Sequence, residues 1–495
     1  MGLKQVFKII GIFIIISISL VAEVYELNLD KSLERAMNQS YRMRTLREDL
    51  KQAEFQLKAA THMFRTNVDL NFTLPNYTET IQQFQDSLGT YYTHLKQSIY
   101  EGNLRISQPL PTDGNVYIES GVYTLQDFHR GRTDAKLSTS IGFTQPLEAF
   151  FTYNSLKASL KESRLNYQRQ QKQLDRARLD MEYRITSSFF QLVKSRERKK
   201  ISHQALANQQ EAYNLAVNKY KAGVIPEVQA LQMEVDLGQA QNTFETNRAS
   251  ERQVANDFKQ VLNIALSDSV ALNYNLEYET VFVNREKAVG LGLQNRLEIQ
   301  EQNINKQLAK LDIKRRKVDG QVTGRISGYY DFQGVETDML HPVYLDLFEG
   351  AYRNLSDRPG NRGVSLTLSI PVWDWGVNEA RVEAARSRLR QAEYALQNEK
   401  VNVKKDIIAT VDELKTSLNN LKLLEKNVKV AEKSYNISKQ RFANGDISSQ
   451  ELALERDRLN NTYISHLEAF ISYKLAIADL KRKTFYDFKN DRSIL

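Results

Sequence analysis

Two long runs without the residues that break helices constrain this chain more than anything else in it. Between Gly376 and Gly445 there is neither glycine nor proline, and after Pro146 no glycine follows until Gly223 and no proline until Pro226. Glycine and proline are the costliest residues inside a helix, so each run is free to form a single one. At 1.5 Å per residue, about 65 helical residues reach ~100 Å, far more than an ordinary domain needs. The apolar stripe points the same way. Ile407, Leu414, Leu421, Val428, Tyr435 and Phe442 recur at sevens, with Val411 and Leu418 on the companion position. Ile185, Leu192, Leu206, Tyr213 and Tyr220 answer in the first run, interrupted at Lys199. A strict seven implies left-handed coiled-coil packing.

Both runs end on the same pattern. Tyr213, Tyr220, Gly223 and Ile225 superpose without a gap on Tyr435, Phe442, Gly445 and Ile447. Each glycine is followed within three residues by a helix-start signal, Pro226 or Ser448, so each is the expected tip of a helical hairpin. The return helices continue the stripe through Leu237, Phe244 and Phe258, and through Leu452, Leu459, Tyr473 and Leu480. The duplication extends upstream. The helical pattern from Leu27 to about Phe64 is repeated over Asn295 to Gly320, with Met43, Ala53 and Leu57 meeting Ile299, Ala309 and Ile313. A repeat overrides the several domains that 495 residues suggest by length alone.

The period then changes to two. Val68, Leu70, Phe72 and Leu74 alternate with Asp69, Asn71 and Thr73; in the second repeat Ile326, Gly328, Tyr330 and Phe332 alternate with Arg325, Ser327, Tyr329 and Asp331. A second strand closes each repeat, through Leu137, Thr139, Ile141 and Phe143 and through Val364, Leu366, Leu368 and Ile370, before Pro146 and Pro371 respectively. Four strands with one polar and one apolar face suit a transmembrane barrel, and equally an ordinary sheet with one face on a core. Phe150, Phe151, Trp373 and Trp375, just beyond the strands, suit a membrane-interface girdle or a core where helix meets strand.

Context favours the membrane. Lys4 and Lys8 precede an apolar run from Ile9 to Ala22, the pattern of a secretory signal peptide and too short to span a bilayer as a helix. No later run is apolar enough for a membrane helix, so insertion would use strands. Cysteine is absent, which removes disulfides, thiol chemistry and a lipidated N-terminal cysteine. The net charge of +8 is spread over the helices rather than gathered with aromatics, so nucleic acid is not an expected partner. His62, His94, His129, His203, His341 and His466 show no ligand spacing, and there is no phosphate loop or nucleophile motif. No catalytic residue, cofactor or metal is expected.

The expected organisation is a signal peptide at 1–22; a first repeat at 23–264, with a helix, strands at 67–74 and 135–145 flanking an insertion at 80–126, and a long hairpin at 150–264 tipped at 223; a second repeat at 283–482, with a helix, strands at 323–333 and 363–370, and a hairpin at 377–482 tipped at 445; and a tail at 483–495. Within the insertion, Thr80 to Tyr100 reads as helix-like, and Leu104–Gln108 with Val116–Val122 as an extra hairpin. A loop is expected from about Gly334 to Gly363.

Three features together, the paired tips at Gly223 and Gly445, the opening Asn295-Arg296-Leu297-Glu298-Ile299, and the strand end Pro371-Val372-Trp373-Asp374-Trp375-Gly376, resemble the TolC-like outer membrane efflux proteins. The first repeat departs at Pro146-Leu147-Glu148-Ala149-Phe150-Phe151, where the Asp-Gly part of the last motif is missing. The resemblance implies a mainly α fold with β: duplicated long helical hairpins forming a periplasmic coiled-coil barrel, and four strands per protomer contributing to a shared twelve-stranded trimeric outer-membrane β-barrel. The function it implies is a passive exit duct of a tripartite efflux or type I secretion system. Its partners would be outer-membrane lipid, a periplasmic adaptor and an inner-membrane transporter of RND, ABC or MFS type. The tips, Ala222-Gly223-Val224 and Asn444-Gly445-Asp446, would dock on the adaptor. The family's aperture acids, six and nine residues after the second tip glycine, correspond to Glu451 and Leu454, with Glu455 one turn beyond and Gln229 and Gln232 in the first repeat. Glu451 is also spaced from Ser448 as a capping box, in which it would only satisfy the helix start. The competing reading is a periplasmic or surface coiled-coil protein with no channel.

Overall fold

A computed structural model describes residues 24–87, 89–338 and 343–494; the expected signal peptide and His341 lie outside them. The elements in chain order are β1 (Val24–Leu27), α1 (Leu29–Gln39), α2 (Tyr41–His62), β2 (Asn67–Asp86), β3 (Gly89–Pro109), β4 (Asn115–Asp127), β5 (Arg132–Pro146), the short α3 (Glu148–Phe151), α4 (Ser155–Lys221), α5 (Glu227–Val261), β6 (Ser269–Leu272), α6 (Arg285–Asn295), α7 (Leu297–Val318), β7 (Thr323–Asp338), α8 (Tyr344–Asp357), β8 (Asn361–Ser369), α9 (Val377–Asn444), α10 (Ser449–Thr484), β9 (Tyr486–Asp487) and β10 (Arg492–Ser493). The two glycine- and proline-free runs are thus α4 and α9, unbroken helices of 67 and 68 residues. The chain divides into two compact units.

The first unit comprises, of the described residues, those up to Arg47, Leu174–Arg296 and those from Val401 onward. It is a helical bundle carrying a parallel pair of short strands, β1 with β6. The heptad stripe forms its core: Ile185, Leu192, Ile407, Leu414, Leu421, Tyr435 and Phe442 are buried, joined by Phe258, Phe470 and Tyr473. The first run's stripe fades toward its tip, where Tyr220 is exposed. An ionic cluster fastens α10 to α4. Arg482 reaches Asp180 and Asp479, each at 2.6 Å, and Lys483 reaches Asp479 at 2.7 Å. The tail after α10 is a turn through Phe485, left-handed and buried, into the small β9–β10 hairpin.

The second unit comprises Glu48–Gln173 and Leu297–Lys400. Here α7 lies along α9, tied by Lys306–Glu393 at 2.9 Å and Asp312–Arg388 at 3.3 Å. Its centre is one antiparallel sheet in the order β2-β3-β4-β5-β7-β8. The sheet has six strands where four were expected. The stretch Thr80 to Tyr100 is not helical but forms the outer part of β2 and most of β3, paired from Asp86↔Gly89 through Thr80↔Leu95 to Asn76↔Ile99. Ile81, Phe84, Tyr91 and Leu95 happen to fall at helix-like spacings, while Thr78, Thr80, Thr90, Tyr92 and Thr93 favour a pleated strand, and cross-strand packing decides. Phe84 stacks on Tyr91 with centroids 5.9 Å apart. The extra hairpin expected within 104–122 is real, and it is the β3–β4 connection of a continuous ladder from Gln97↔Asp127 to Pro109↔Asn115.

The loop expected over 334–363 is likewise partly ordered. β7 runs on to Asp338, and α8 packs on β7 and β5 with Leu347, Gly350 and Ala351 buried. Gly334 permits this approach, because a Cβ there would sit 1.8 Å from the Ala351 carbonyl oxygen. Asn354 donates to the Val335 carbonyl at 2.9 Å, satisfying the strand where the helix crosses it.

Candidate functional site

Register sorts the sheet's side chains onto two faces, since residues paired directly across an antiparallel ladder point the same way. One row runs Phe72↔Gly102↔Val122↔Leu137↔Gly334, and another Val68↔Ile106↔Ile118↔Ile141↔Tyr330. With Leu70, Leu104, Val116, Phe143, Ile326, Val364 and Leu366, these rows make one face apolar. The other face carries Asp69, Asn71, Glu101, Asn103, Arg105, Glu119, Lys136, Ser138, Ser140, Arg325 and Asp331. Its charges are matched locally: Arg105 meets Glu119 at 3.3 Å and lies over the Tyr117 ring, and Asn103 donates to Glu101 at 2.7 Å. Away from the outer ends of β5 and β7, where α8 lies against Gly334, the apolar face is left bare in the single chain, Phe72 being 64% and Val364 81% exposed. Water does not tolerate such a surface over many strands. Lipid does.

The four aromatic candidates stand outside any core. Phe150, Phe151, Trp373 and Trp375 are 55%, 85%, 75% and 86% exposed, and the two tryptophans meet edge to face at 5.5 Å. Between the tryptophans Asp374 caps α9, accepting from Gly376 N at 2.9 Å and Asn378 N at 2.8 Å. The first repeat lacks that aspartate, and Asp113 in the β3–β4 turn takes its place. It accepts from Ser155 N at 2.8 Å and Leu156 N at 3.2 Å at the start of α4. No local sequence signal announces this cap, because donor and acceptor lie far apart in the chain.

The helical tips form alike. Gly223 and Gly445 have φ of +72° and +91°. The amide after each reaches back to the carbonyl five residues earlier, Val224 N to Lys219 O and Asp446 N to Arg441 O, both at 2.9 Å. This is the Schellman arrangement, in which a left-handed residue closes the last turn. A Cβ on Gly223 would meet nothing within 4 Å, so the turn stands in open space. Below the tips Ala216, Met233, Ala431, Tyr435, Phe442, Leu452 and Leu459 form one cluster. Sequence reasoning missed Lys219, whose ammonium donates to the Phe442 carbonyl and lies 5.0 Å from the Phe442 ring, joining the two hairpins. The signal was present as a basic residue at the matching places in both copies, Lys219 and Arg441.

The aperture candidates divide. Glu451 closes the capping box on Ser448: its carboxylate accepts from Ser448 N at 2.8 Å while Ser448 Oγ accepts from Glu451 N at 3.3 Å. The Ser448 amide and hydroxyl hold its pKa below the usual carboxylate value. Glu455 accepts from Ser434 Oγ at 2.8 Å and pairs with Arg458 at 2.7 Å. Leu454 and Gln232 are exposed and Gln229 is half-buried, on the first turns of α10 and α5 or just beyond them.

The family model described as outer membrane efflux protein matches residues 121–263 and 293–483. No curated protein matches the sequence significantly. Among solved structures, a membrane protein from Pseudomonas aeruginosa aligns at a TM-score of 0.69 and 14% identity, over 92% of this chain and 93% of that one. The CmeC outer membrane channel of Campylobacter jejuni aligns at 0.68 and 13%, over 92% and 85%. The open-state MtrE outer membrane channel of Neisseria gonorrhoeae aligns at 0.65 and 14%, over 94% and 90%.

Proposed function

Because this chain belongs to the outer membrane efflux protein family, we infer that its two-faced sheet and tipped hairpins are the working parts of an outer-membrane exit duct that extends into the periplasm. The duct is passive. The apolar face of the sheet meets lipid, the polar face lines water, and no residue need turn over a substrate. The observation that carries this reading is the division of faces across all six strands, which no soluble role explains.

The finer parts of the proposal follow from edges and tips. A single copy leaves two sheet edges unpaired, and unpaired backbone groups are prohibitive in hydrocarbon, so closure is shared among copies as a homotrimer. The repeats at 23–264 and 283–482 each contribute one hairpin tip. Ala222-Gly223-Val224 and Asn444-Gly445-Asp446 lie at the turns that join α4 to α5 and α9 to α10 and would dock on a periplasmic adaptor linked to an inner-membrane transporter of RND, ABC or MFS type. Phe150, Phe151, Trp373 and Trp375 would sit at the membrane interface. Glu451 and Glu455, with Gln229 and Gln232, would line the periplasmic aperture, where three-fold symmetry gathers three copies of each charge.

Membrane fractionation with native mass measurement in detergent tests the proposal. It requires outer-membrane protein of three-chain mass with heat-modifiable gel mobility. A soluble monomer overturns it.

A further inference from the structure

The family resemblance implies a barrel of twelve strands, four from each of three copies. We propose instead that this protein closes an eighteen-stranded barrel, six strands from each copy, with the β8 edge of one copy paired antiparallel to the β2 edge of the next. The inference rests on the trimeric reading above and adds the strand count and the seam.

Four observations carry it. The six strands form one sheet, so β3 and β4 are bonded on both sides and, among the described residues, β2 and β8 are its two open edges. A twelve-stranded barrel of the expected strands β2, β5, β7 and β8 would need β2 beside β5, where β4 already pairs from Asn115↔Thr144 to Asp127↔Arg132, and one of β4, β5, β7 and β8 would need the outer edge of β4. That edge is already occupied by β3 from Gln97↔Asp127 to Pro109↔Asn115. Secondly, the count is even, so β2 and β8 run in opposite directions. Copies joined head to tail then give an antiparallel seam, as transmembrane barrels have, whereas an odd count would force a parallel one.

Thirdly, over 68–73 and 101–108 the added strands obey the same division of faces as the rest. Val68, Leu70, Phe72, Leu104 and Ile106 continue the apolar face, and Asp69, Asn71, Glu101 and Arg105 the polar one. A ribbon lying off the wall would have no reason to match it. Finally, the hairpin is built into the frame. Its turn supplies Asp113, the cap of α4, and Asn154 donates back to the Pro111 carbonyl at 3.0 Å. Gln145 at the end of β5 clasps the same turn, donating to the Thr112 carbonyl and accepting from the Thr112 hydroxyl, both at 2.7 Å. The first amides of α4 are thus shared between its own Asn154, which accepts from Lys157 N at 2.7 Å, and Asp113 delivered by the added strands. Since barrel diameter grows roughly linearly with strand number, the lumen across the membrane would be ~1.5 times as wide as twelve strands give.

The chain has no cysteine, so disulfide mapping needs no background removed. Single polar-face cysteines on β2 (Asp69→Cys, Asn71→Cys or Thr73→Cys) are each combined with Ser365→Cys or Thr367→Cys on β8. Glu119→Cys on β4 with the same β8 positions is the comparison, and native mass is measured throughout. At least one β2–β8 combination is expected to move most of the monomer band to linked dimers and trimers on a non-reducing denaturing gel, while the β4 combinations stay monomeric. Links from β4, or none from β2, in a protein of three-chain mass overturn the strand count and leave the trimer standing. A mass other than three copies overturns both. Cryo-electron microscopy of the unaltered protein in nanodiscs, viewed down the barrel, gives the same answer without substitutions: eighteen strands are expected, and twelve refute the proposal.

Discussion

Neighbouring residues on β5 should respond oppositely to the same substitution. Ile141 lies between Ile118 and Tyr330 on the apolar face, whereas Ser140 lies between Glu119 and Asp331 on the polar one. An arginine on the lipid face near the bilayer midplane costs about 2–4 kcal/mol. That is a factor of about 30 to 900 in the assembly equilibrium for each copy. Ser140→Arg instead places a guanidinium between two carboxylates, and opposite charges across a ladder contribute about 0.2–1 kcal/mol per pair. The change should therefore be neutral or slightly stabilising. The assay is the yield of heat-modifiable trimers from outer membranes, with urea titration of the purified protein in detergent. Ile141→Arg should abolish most of the trimer, and Ser140→Arg should leave yield and midpoint intact. Equal tolerance at the two positions refutes the assignment of faces, and the reverse order means the sheet is inside out.

At the tips, Gly445→Val forces a β-branched residue to φ of +91°, a cost of about 1–2 kcal/mol; it should abolish crosslinking to the adaptor while native mass stays trimeric. Glu451→Gln with Glu455→Gln should reduce cation selectivity, read as reversal potential in single-channel recordings, because glutamine can still close the capping box on Ser448. The same box makes the tip sensitive to acid. The Glu451 pKa is depressed below its usual 4.5, so its stabilisation is present above that value and is lost as pH falls through the folded one; the protection of the Ser448–Glu451 amides relative to their intrinsic exchange rates should fall only below about pH 4.5. Asp113→Ala removes the remote cap of α4 at a cost of about 0.5–2 kcal/mol, and should lower the urea midpoint of the trimer where Asp113→Asn does so less.

What could be read from the chain was what repeats at short range. The long helices follow from the absence of glycine and proline, the tips from Gly223 and Gly445, and the strand faces at 68–74, 137–143, 326–332 and 364–370 from alternation. The β2–β3 ribbon escaped because its outer half carries no regular alternation: Phe84 and Tyr91 pack across the ribbon, a pairing that sequence spacing disguises as a helical one. In the expected loop after Gly334, α8 is only 14 residues long and leans on the sheet, so its stability comes from contacts that lie outside its own segment. Asp113 capping α4 and Lys219 bridging to Phe442 are the same kind of fact. Both are long-range pairings between residues that look like ordinary surface charges when read singly.

The most direct measurement is spin-label accessibility along β5 in outer membranes. Residues 137 to 144 are replaced by cysteine one at a time, labelled with a nitroxide, and relaxed by oxygen, which concentrates in lipid, or by a water-soluble nickel chelate. A water-filled barrel in the membrane predicts two period-two patterns out of phase, oxygen strongest at 137, 139, 141 and 143 and the chelate strongest at 138, 140, 142 and 144. Patterns in phase with each other, or oxygen access without periodicity, would contradict it.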